Sequence, residues 1–105
     1  MININNVMWN IVLTNDINYL KRNDGSVTLG ITDKRKRTIY IYDSLNEYAK
    51  RKVLIHELVH AWMFSYDYYL TVSEEEFVCE FVSNYAEDIL FEVDNILSNI
   101  IFKKA

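Results

Sequence analysis

Apolar residues change their spacing half-way along this chain. In the first half they form short runs rich in β-branched and aromatic residues, at 7–14, 27–32 and 38–42. Such runs predict strands, and the last two flank a turn, which favours an antiparallel hairpin. The polar stretch 15–21 allows a short helical turn, and residues 23–26 have the composition of a tight turn. We predict a small antiparallel sheet of about three strands.

In the second half, apolar residues recur at the three- and four-residue steps of helices. Asp43 or Ser44 can cap a first helix that starts near Leu45 and continues to about Phe64. This helix contains both histidines of the chain. Its apolar neighbours around the histidines predict that it is largely buried.

A second helix is predicted to begin near Ser73, which forms a capping-box pattern with Glu76. Its apolar positions are Phe77, Val78, Phe81, Val82, Tyr85, Ile89, Val93, Ile96 and Ile100. If unbroken to Phe102, it would be roughly 45 Å long at 1.5 Å per residue, longer than a small domain is wide. We therefore expect a break near Asp94 and Asn95, or packing of its end on another copy in a homodimer.

These elements predict an α+β fold in which a sheet precedes two helices. The 105 residues are enough for one hydrophobic core, so we expect a single domain over 1–105. Half of the residues are apolar and none is proline, which is typical of a globular domain. The net charge of -4 gives no general attraction to nucleic acid or to an anionic membrane, so neither is expected as a partner. The basic cluster 34–37 is either a solvated hairpin turn or a contact for a phosphate or a partner.

Cysteine use and the N-terminus favour a cytoplasmic location. Cys79 is the only cysteine, so no disulfide can form within the chain. Residues 1–13 lack the basic start and continuous apolar stretch of a signal peptide. No segment reaches the roughly 18 uninterrupted apolar residues that a membrane span needs.

The pentapeptide 56–60 has the pattern of a divalent-metal site with a base beside it. His56 and His60 are four residues apart and share one face of a helix, and Glu57 stands next to them. Zinc binds neutral imidazole nitrogens, a catalytic zinc keeps one position for water, and a nearby carboxylate can accept the proton of that water. We therefore predict a Zn²⁺ site with His56 and His60 as ligands and Glu57 as general base. The alternative is a pair of core histidines that neighbouring groups satisfy.

Because the chain has no third histidine, the missing ligand must be a carboxylate or Cys79. Glu76 is favoured, since Cys79 and Ser83 on its side of the helix are small and permit a close approach to the first helix. Glu80, one turn later, is placed to accept a hydrogen bond from a ligand histidine. Glu75 is the alternative metal ligand, because it lies nearer the apolar stripe and would be more buried.

The segments 53–62 and 75–85 resemble small phage and mobile-element zinc peptidases related to the ImmA/IrrE group, with a looser match over 29–33. These are minimal gluzincins with a zincin-like fold. The resemblance implies zinc bound by His56, His60 and a downstream glutamate, with Glu57 as base. Glu76 and Glu80 match the gluzincin pattern in which an acidic residue follows the ligand glutamate by four positions. Targets in this group are typically repressors or regulators encoded nearby.

The function predicted from the sequence is zinc-dependent hydrolysis of a peptide bond in a protein or peptide substrate. An edge strand such as 38–42 would hold the substrate extended. Stabilisation of the oxyanion would fall to backbone donors or to a tyrosine; the tyrosines considered are Tyr66, Tyr68 and Tyr69. The alternative is a catalytically silent zincin-fold effector that binds a host or regulatory protein, using Phe91, Ile101 and Phe102. A purely structural zinc is disfavoured, since such sites are usually closed by four ligands and rich in cysteine.

Overall fold

The fold is a four-stranded sheet followed by two helices, which confirms the predicted α+β class and the order of its elements. The computed structural model describes residues 1–99 and 103–104. The elements are β1 (Ile2–Ile4), β2 (Val7–Thr14), β3 (Gly30–Asp33), β4 (Thr38–Tyr42), α1 (Glu47–Ser65) and α2 (Val72–Asn99). A 3₁₀ turn at Ile17–Tyr19 lies in the predicted polar stretch.

The sheet has the strand order β1-β2-β4-β3 and is not purely antiparallel. The predicted hairpin is present, because β3 and β4 pair antiparallel across the basic turn. The prediction of about three antiparallel strands is wrong in two respects: β2 and β4 are parallel, and β1 adds a fourth strand. Asn5 and Asn6 allow the tight β1–β2 turn, since both adopt positive φ, 49° and 65°.

The hydrophobic core lies between α1 and one face of the sheet. Trp9, Ile39 and Ile41 are fully buried there. The Trp9 indole N–H donates a hydrogen bond of 2.9 Å to Ser65 Oγ at the end of α1. The Trp9 ring also meets Phe64 edge to face, with 5.8 Å between ring centroids. These contacts fix the C-terminal end of α1 on the central strand β2.

Both helices begin with caps that differ from the predicted ones. Asn46, rather than Asp43 or Ser44, caps α1, because its side chain accepts a hydrogen bond from the Ala49 N–H at 2.8 Å. The caps of α2 are Thr71 and Glu74: the Glu74 N–H donates to Thr71 Oγ1 at 3.2 Å, and the Thr71 N–H donates to Glu74 Oε1 at 3.0 Å.

This register of the capping box leaves the carboxylate of Glu76 free, in place of the predicted pairing of Ser73 with Glu76. The hydrogen bonds from Thr71 also lower the pKa of Glu74, since they favour its charged form. Glu74 therefore belongs to the helix start, whereas the carboxylates that follow it are available for other contacts.

Helix α2 is continuous over its 28 residues, so the break at Asp94 and Asn95, one of the two alternatives predicted, is absent. It runs antiparallel beside α1 as far as an ion pair between Arg51 and Glu87. Beyond that point it extends past α1, and its apolar residues are exposed: Ile89, Leu90, Phe91, Val93 and Leu97. Ile100, Ile101 and Phe102, which the sequence also places on this helix, lie outside the described residues. Over the described part of the chain, no helix has the length and apolar character that crossing a membrane requires.

Candidate metal centre

The helical hairpin of α1 and α2 brings five of the residues singled out in the sequence together. His56 and His60 are one turn apart on the face of α1 that meets α2, and the two imidazole rings lie 5.3 Å apart between centroids. The three facing carboxylates come from the first turns of α2: Glu75, Glu76 and Glu80. The hairpin therefore opposes two imidazoles to three carboxylates.

Glu76 lies between the two histidines and contacts the same nitrogen of each. Its Oε2 is 3.3 Å from His56 Nε2, and its Oε1 is 2.8 Å from His60 Nε2. Ligand atoms about 2.0–2.2 Å from a tetrahedral zinc ion lie about 3.3–3.6 Å from one another, so the contact with His56 has the spacing of a ligand pair. The contact with His60 has a hydrogen-bond distance and would lengthen around an ion. Two imidazole nitrogens and one carboxylate leave a fourth position for water, which is the donor set of a catalytic zinc.

The other nitrogen of each imidazole faces a different carboxylate. His56 Nδ1 lies 3.3 Å from Glu80, and His60 Nδ1 lies 3.2 Å from Glu75. A carboxylate at Nδ1 holds the ring in the tautomer whose Nε2 is free to bind a metal. Glu75 is indeed the more buried neighbour, with 14% of its side chain exposed against 46% for Glu76. Its position at Nδ1 nevertheless suits orientation of His60 better than metal binding.

Lys34 extends this chain of contacts to the sheet. Its Nζ donates to both carboxylate oxygens of Glu75, at 3.3 and 3.2 Å. Because Glu75 also faces His60, the basic β3–β4 turn is joined through one carboxylate to the candidate metal centre. The sequence allows two alternatives for the cluster 34–37, a solvated turn or a contact. The cluster is not solely a solvated turn, because Lys34 contacts Glu75.

Cys79 lies beneath the site and is fully buried. Its sulfur and one nitrogen of each histidine are within 4.8 Å of one another. Burial, with a smaller contribution from the charges of Glu76 and Glu75, raises the pKa of the Cys79 thiol to about 12. To bind zinc, Cys79 would have to lose its thiol proton, whereas the Glu76 carboxylate already lies within 3.3 Å of the Nε2 atoms of both histidines. Glu76 is therefore the better-placed third ligand.

Glu57 points from α1 to the sheet and is held there by β3. The Thr32 hydroxyl lies 2.9 Å from Glu57 Oε1 and 3.0 Å from the Glu57 carbonyl oxygen. Burial raises the pKa of Glu57, and the hydrogen bond from Thr32 opposes this rise. A carboxylate with a raised pKa is a better proton acceptor, as a general base requires.

Gly30 provides the space that Glu57 occupies. A Cβ at this position would lie 2.9 Å from Glu57 Cγ and 2.7 Å from Val53 Cγ1, closer than van der Waals contact permits. Any side chain at position 30 would therefore displace the helix or the Glu57 carboxylate. The close packing of β3 on α1 depends on this glycine.

The comparisons with known proteins identify a family for this chain. A peptidase family model, described as the IrrE N-terminal-like domain, matches residues 15–85. The chain belongs to this family. The match includes β3, β4, α1 and the first half of α2, so it contains every group placed around the two histidines. It confirms the ImmA/IrrE-like resemblance of the sequence. No curated protein and no solved structure gives a significant match.

The cleft of this IrrE N-terminal-like domain opens between the free edge of β3 and α2. Two cavities of about 360 and 670 Å³ meet at His56, Glu57 and Glu76. The prediction that strand 38–42 lies at an edge of the sheet is wrong. Strand β4 is paired on both sides, and β3 forms the edge next to the cleft. The Leu29 carbonyl accepts from the Tyr42 N–H, so by the antiparallel alternation the backbone groups of Gly30 and Thr32 face outward.

The tyrosines considered for the oxyanion lie elsewhere in this IrrE N-terminal-like domain. Tyr66 and Tyr68 line a separate cavity at the end of α1, and Tyr69 is 87% exposed on the loop that follows. Tyr48 instead shares a cavity with Glu57 and His56. It lies at the start of α1, and no spacing rule relates it to the histidines.

Sequence reasoning also missed three residues that shape this site: Gly30, Thr32 and Lys34. The first two lie in the segment 29–33, whose looser resemblance to the family was their only signal in the sequence. The contacts of all three cross from the sheet to a helix, and their partners are far away in the chain. Helical spacing could therefore not reveal them.

Proposed function

We propose that this IrrE N-terminal-like domain is a zinc-dependent peptidase that cleaves a peptide bond in a protein substrate. The observation that carries the proposal is the Glu76 carboxylate within 3.3 Å of the Nε2 atoms of both His56 and His60. Membership of a peptidase family supports the reaction class. In this proposal His56, His60 and Glu76 hold the ion, and Glu75 and Glu80 orient the two imidazoles.

When bound, zinc would lower the pKa of water and polarise the scissile carbonyl. Glu57 accepts the proton of the attacking water as the new C–O bond forms. It then passes this proton to the leaving amine as the C–N bond breaks. Thr32 and Gly30 keep the carboxylate in place, and burial of Glu57 keeps bulk water from competing for the proton.

The substrate is proposed to add as a further strand along the outer edge of β3. Gly30 and Thr32 direct backbone donors and acceptors outward there, and the Thr32 side chain reaches Glu57. An extended peptide that pairs with this edge would carry its scissile bond past the proposed base. The alternative predicted from the sequence, a catalytically silent binding protein, gains no support from the peptidase family match.

The test is the Glu57→Gln variant, with Glu47→Gln at the exposed start of the same helix as control. Both are loaded with zinc and incubated with a peptide library from a digested bacterial proteome, and cleavage sites are read by mass spectrometry. We expect the variant at position 57 to bind zinc and to lose cleavage by at least about 10³-fold, the order of magnitude of removing a general base. Retained cleavage in Glu57→Gln, or no cleavage by the zinc-loaded natural sequence, would contradict the proposal.

A further inference from the structure

The larger of the two cavities around Glu57 has its cations on the sheet side and most of its anions on the helix side. The cations that line it are Lys21, Arg22, Lys34 and Arg35. The first pair precedes β3 in the chain and the second pair follows it. The acidic groups Glu57, Glu75 and Glu76 belong to the helices. The open edge of β3 is therefore flanked by positive charge.

The anions of this cleft already have partners in the site. Glu76 faces both histidines, Glu75 faces His60 and Lys34, and Glu57 accepts from Thr32. Asp33, the acidic residue on the sheet side, accepts the Lys36 backbone N–H at 3.0 Å. The hydrogen bonds to Glu57 and Asp33 come from neutral groups and leave both carboxylates charged, but of the four cations only Lys34 forms an ion pair with a carboxylate among the described residues.

Two of the cations have no such partner. Within the described residues, neither Lys21 nor Arg35 forms an ion pair, and Arg22 donates only a long hydrogen bond of 3.4 Å to the Thr28 hydroxyl. The chain as a whole is acidic, with a net charge of -4. However, fields are screened over about 10 Å at 0.1 M salt, so a bound peptide responds to the side chains nearest to it.

The opposite end of the cleft carries apolar side chains beside charged ones. Leu29, Tyr48 and Val53 line the smaller cavity, together with the cations Arg22 and Lys52 and the carboxylate of Glu80. The larger cavity follows β3 from Gly30 to Arg35. A peptide along this edge would thus pass from the apolar group around Leu29, across Glu57, to the cations at the Arg35 end.

We propose that the cleft selects extended peptides with an apolar residue at the Leu29 end of β3 and acidic residues at the Arg35 end. This inference rests on the proposed function, because it assigns the substrate class of the same site. Strand β3 has four residues, about 13 Å at 3.3 Å each. Acidic side chains within about four residues of the scissile bond would therefore reach the basic edge.

Binding can be measured without cleavage by using the zinc-loaded Glu57→Gln variant. The probes are two fluorescein-labelled peptides that are identical except that one carries four glutamates beside a central leucine and the other four glutamines. Fluorescence anisotropy should show at least about tenfold tighter binding of the glutamate peptide at low salt, an advantage that falls as salt rises. Equal affinities for the two probes would overturn the proposal.

A charge reversal within the basic turn separates this preference from a general effect of charge. Arg35→Glu should remove most of the advantage of the glutamate probe. Lys36→Glu changes the charge of the same turn equally, but Lys36 does not line the cleft, so this control should keep the advantage. Equal losses in both variants would show a non-specific field and would contradict a subsite at Arg35.

Cleavage by the natural sequence distinguishes the two proposals. If library peptides are cut and acidic residues are enriched on one side of the cut, both proposals stand. If peptides are cut without such enrichment, the preference is wrong and the peptidase remains. If the glutamate probe binds preferentially and nothing is cut, the basic edge remains as a binding surface and the peptidase is wrong.

Discussion

The part of α2 up to Glu87 faces α1, whereas the described residues beyond Glu87 extend past α1 into solvent. The first part presents carboxylates to its neighbour, with Glu75 14% exposed at the interface. The second part carries apolar side chains, of which Leu90 is 62% and Leu97 is 60% exposed. This reverses the usual arrangement, in which a helix buries apolar residues and exposes charges. Contact between α1 and α2 therefore includes the polar groups around the histidines beside the buried Cys79, and the part beyond Glu87 requires a separate explanation.

The sharpest test of this difference compares Glu76, beside the histidines, with Glu87, where the contact with α1 ends. Glu76→Gln should weaken zinc binding by about 10²–10³-fold, because one ligand supplies about a quarter of the binding free energy of a zinc site. Glu87→Gln should leave zinc affinity unchanged, since Glu87 pairs with Arg51 on the surface. Competition titration with a chromophoric zinc chelator measures both. Equal affinities of the two variants would remove the proposed third ligand.

A second test uses the two glycines of the chain to measure how the site beside the first part of α2 depends on the sheet. Gly30→Ala should lower peptide cleavage by about 10²-fold while zinc affinity changes little, because the added methyl group meets the side chains of Val53 and Glu57, neither of which is a proposed ligand. Gly25→Ala is the control. Its φ of +85° makes alanine unfavourable by about 1–2 kcal/mol, but a Cβ at position 25 would have no neighbouring atom within 4 Å. It should lower the free energy of unfolding and leave cleavage intact. Loss of zinc in Gly30→Ala would contradict the separation of base and ligands.

A third test ranks the carboxylates that face Nδ1. Glu75→Gln should weaken zinc binding by about 10–100-fold, as expected for a group that orients a ligand histidine. Glu80→Gln should cost less, because Glu80 is 62% exposed against 14% for Glu75. The same titration gives the order Glu76, Glu75, Glu80 in decreasing effect. A larger loss at Glu75 than at Glu76 would make Glu75 the metal ligand instead.

The smallest effect on zinc affinity is expected from substitutions in the part of α2 beyond Glu87, where the sequence predicts packing in a homodimer. Sedimentation equilibrium should then give twice the mass of the 12.5 kDa chain. The double variant Leu90→Lys and Leu97→Lys should be monomeric, since it places charges on the exposed apolar face. Its zinc affinity should not change. A natural sequence that is monomeric at all concentrations would contradict the homodimer.

Local patterns were sufficient to predict most of the elements. The strands 7–14 and 38–42 and both helices follow from spacing and composition, and their order gives the α+β class. The same helical spacing placed His56 and His60 on one face of α1 and Glu76 on one face of α2. The structure brings these two faces into contact. Residues a few positions apart on a helix have a fixed relation, so these inferences needed no knowledge of tertiary structure.

Features that depend on distant segments could not be predicted. The parallel pairing of β2 with β4 joins strands between which the 3₁₀ turn and β3 lie in the chain, and no local signal distinguishes it from an antiparallel pairing. The error about the edge strand followed directly, because the strand order decides which strand remains open. The caps differed for a local reason: several adjacent residues, such as Thr71 and Ser73, are all good N-caps, and only the helix register selects one.

The proposed zinc ligands and the residues that orient them all lie between His56 and Glu80, in one helical hairpin. Contacts between neighbouring helices close short loops and form early, so this half of the centre can assemble, and gain stability from metal, before the sheet is complete. Glu57 depends instead on Gly30 and Thr32, which are positioned only when β3 pairs with β4. A chain that binds zinc while its sheet is unformed would therefore hold the ion without an oriented base. Hydrolytic capacity would appear only in the fully folded domain.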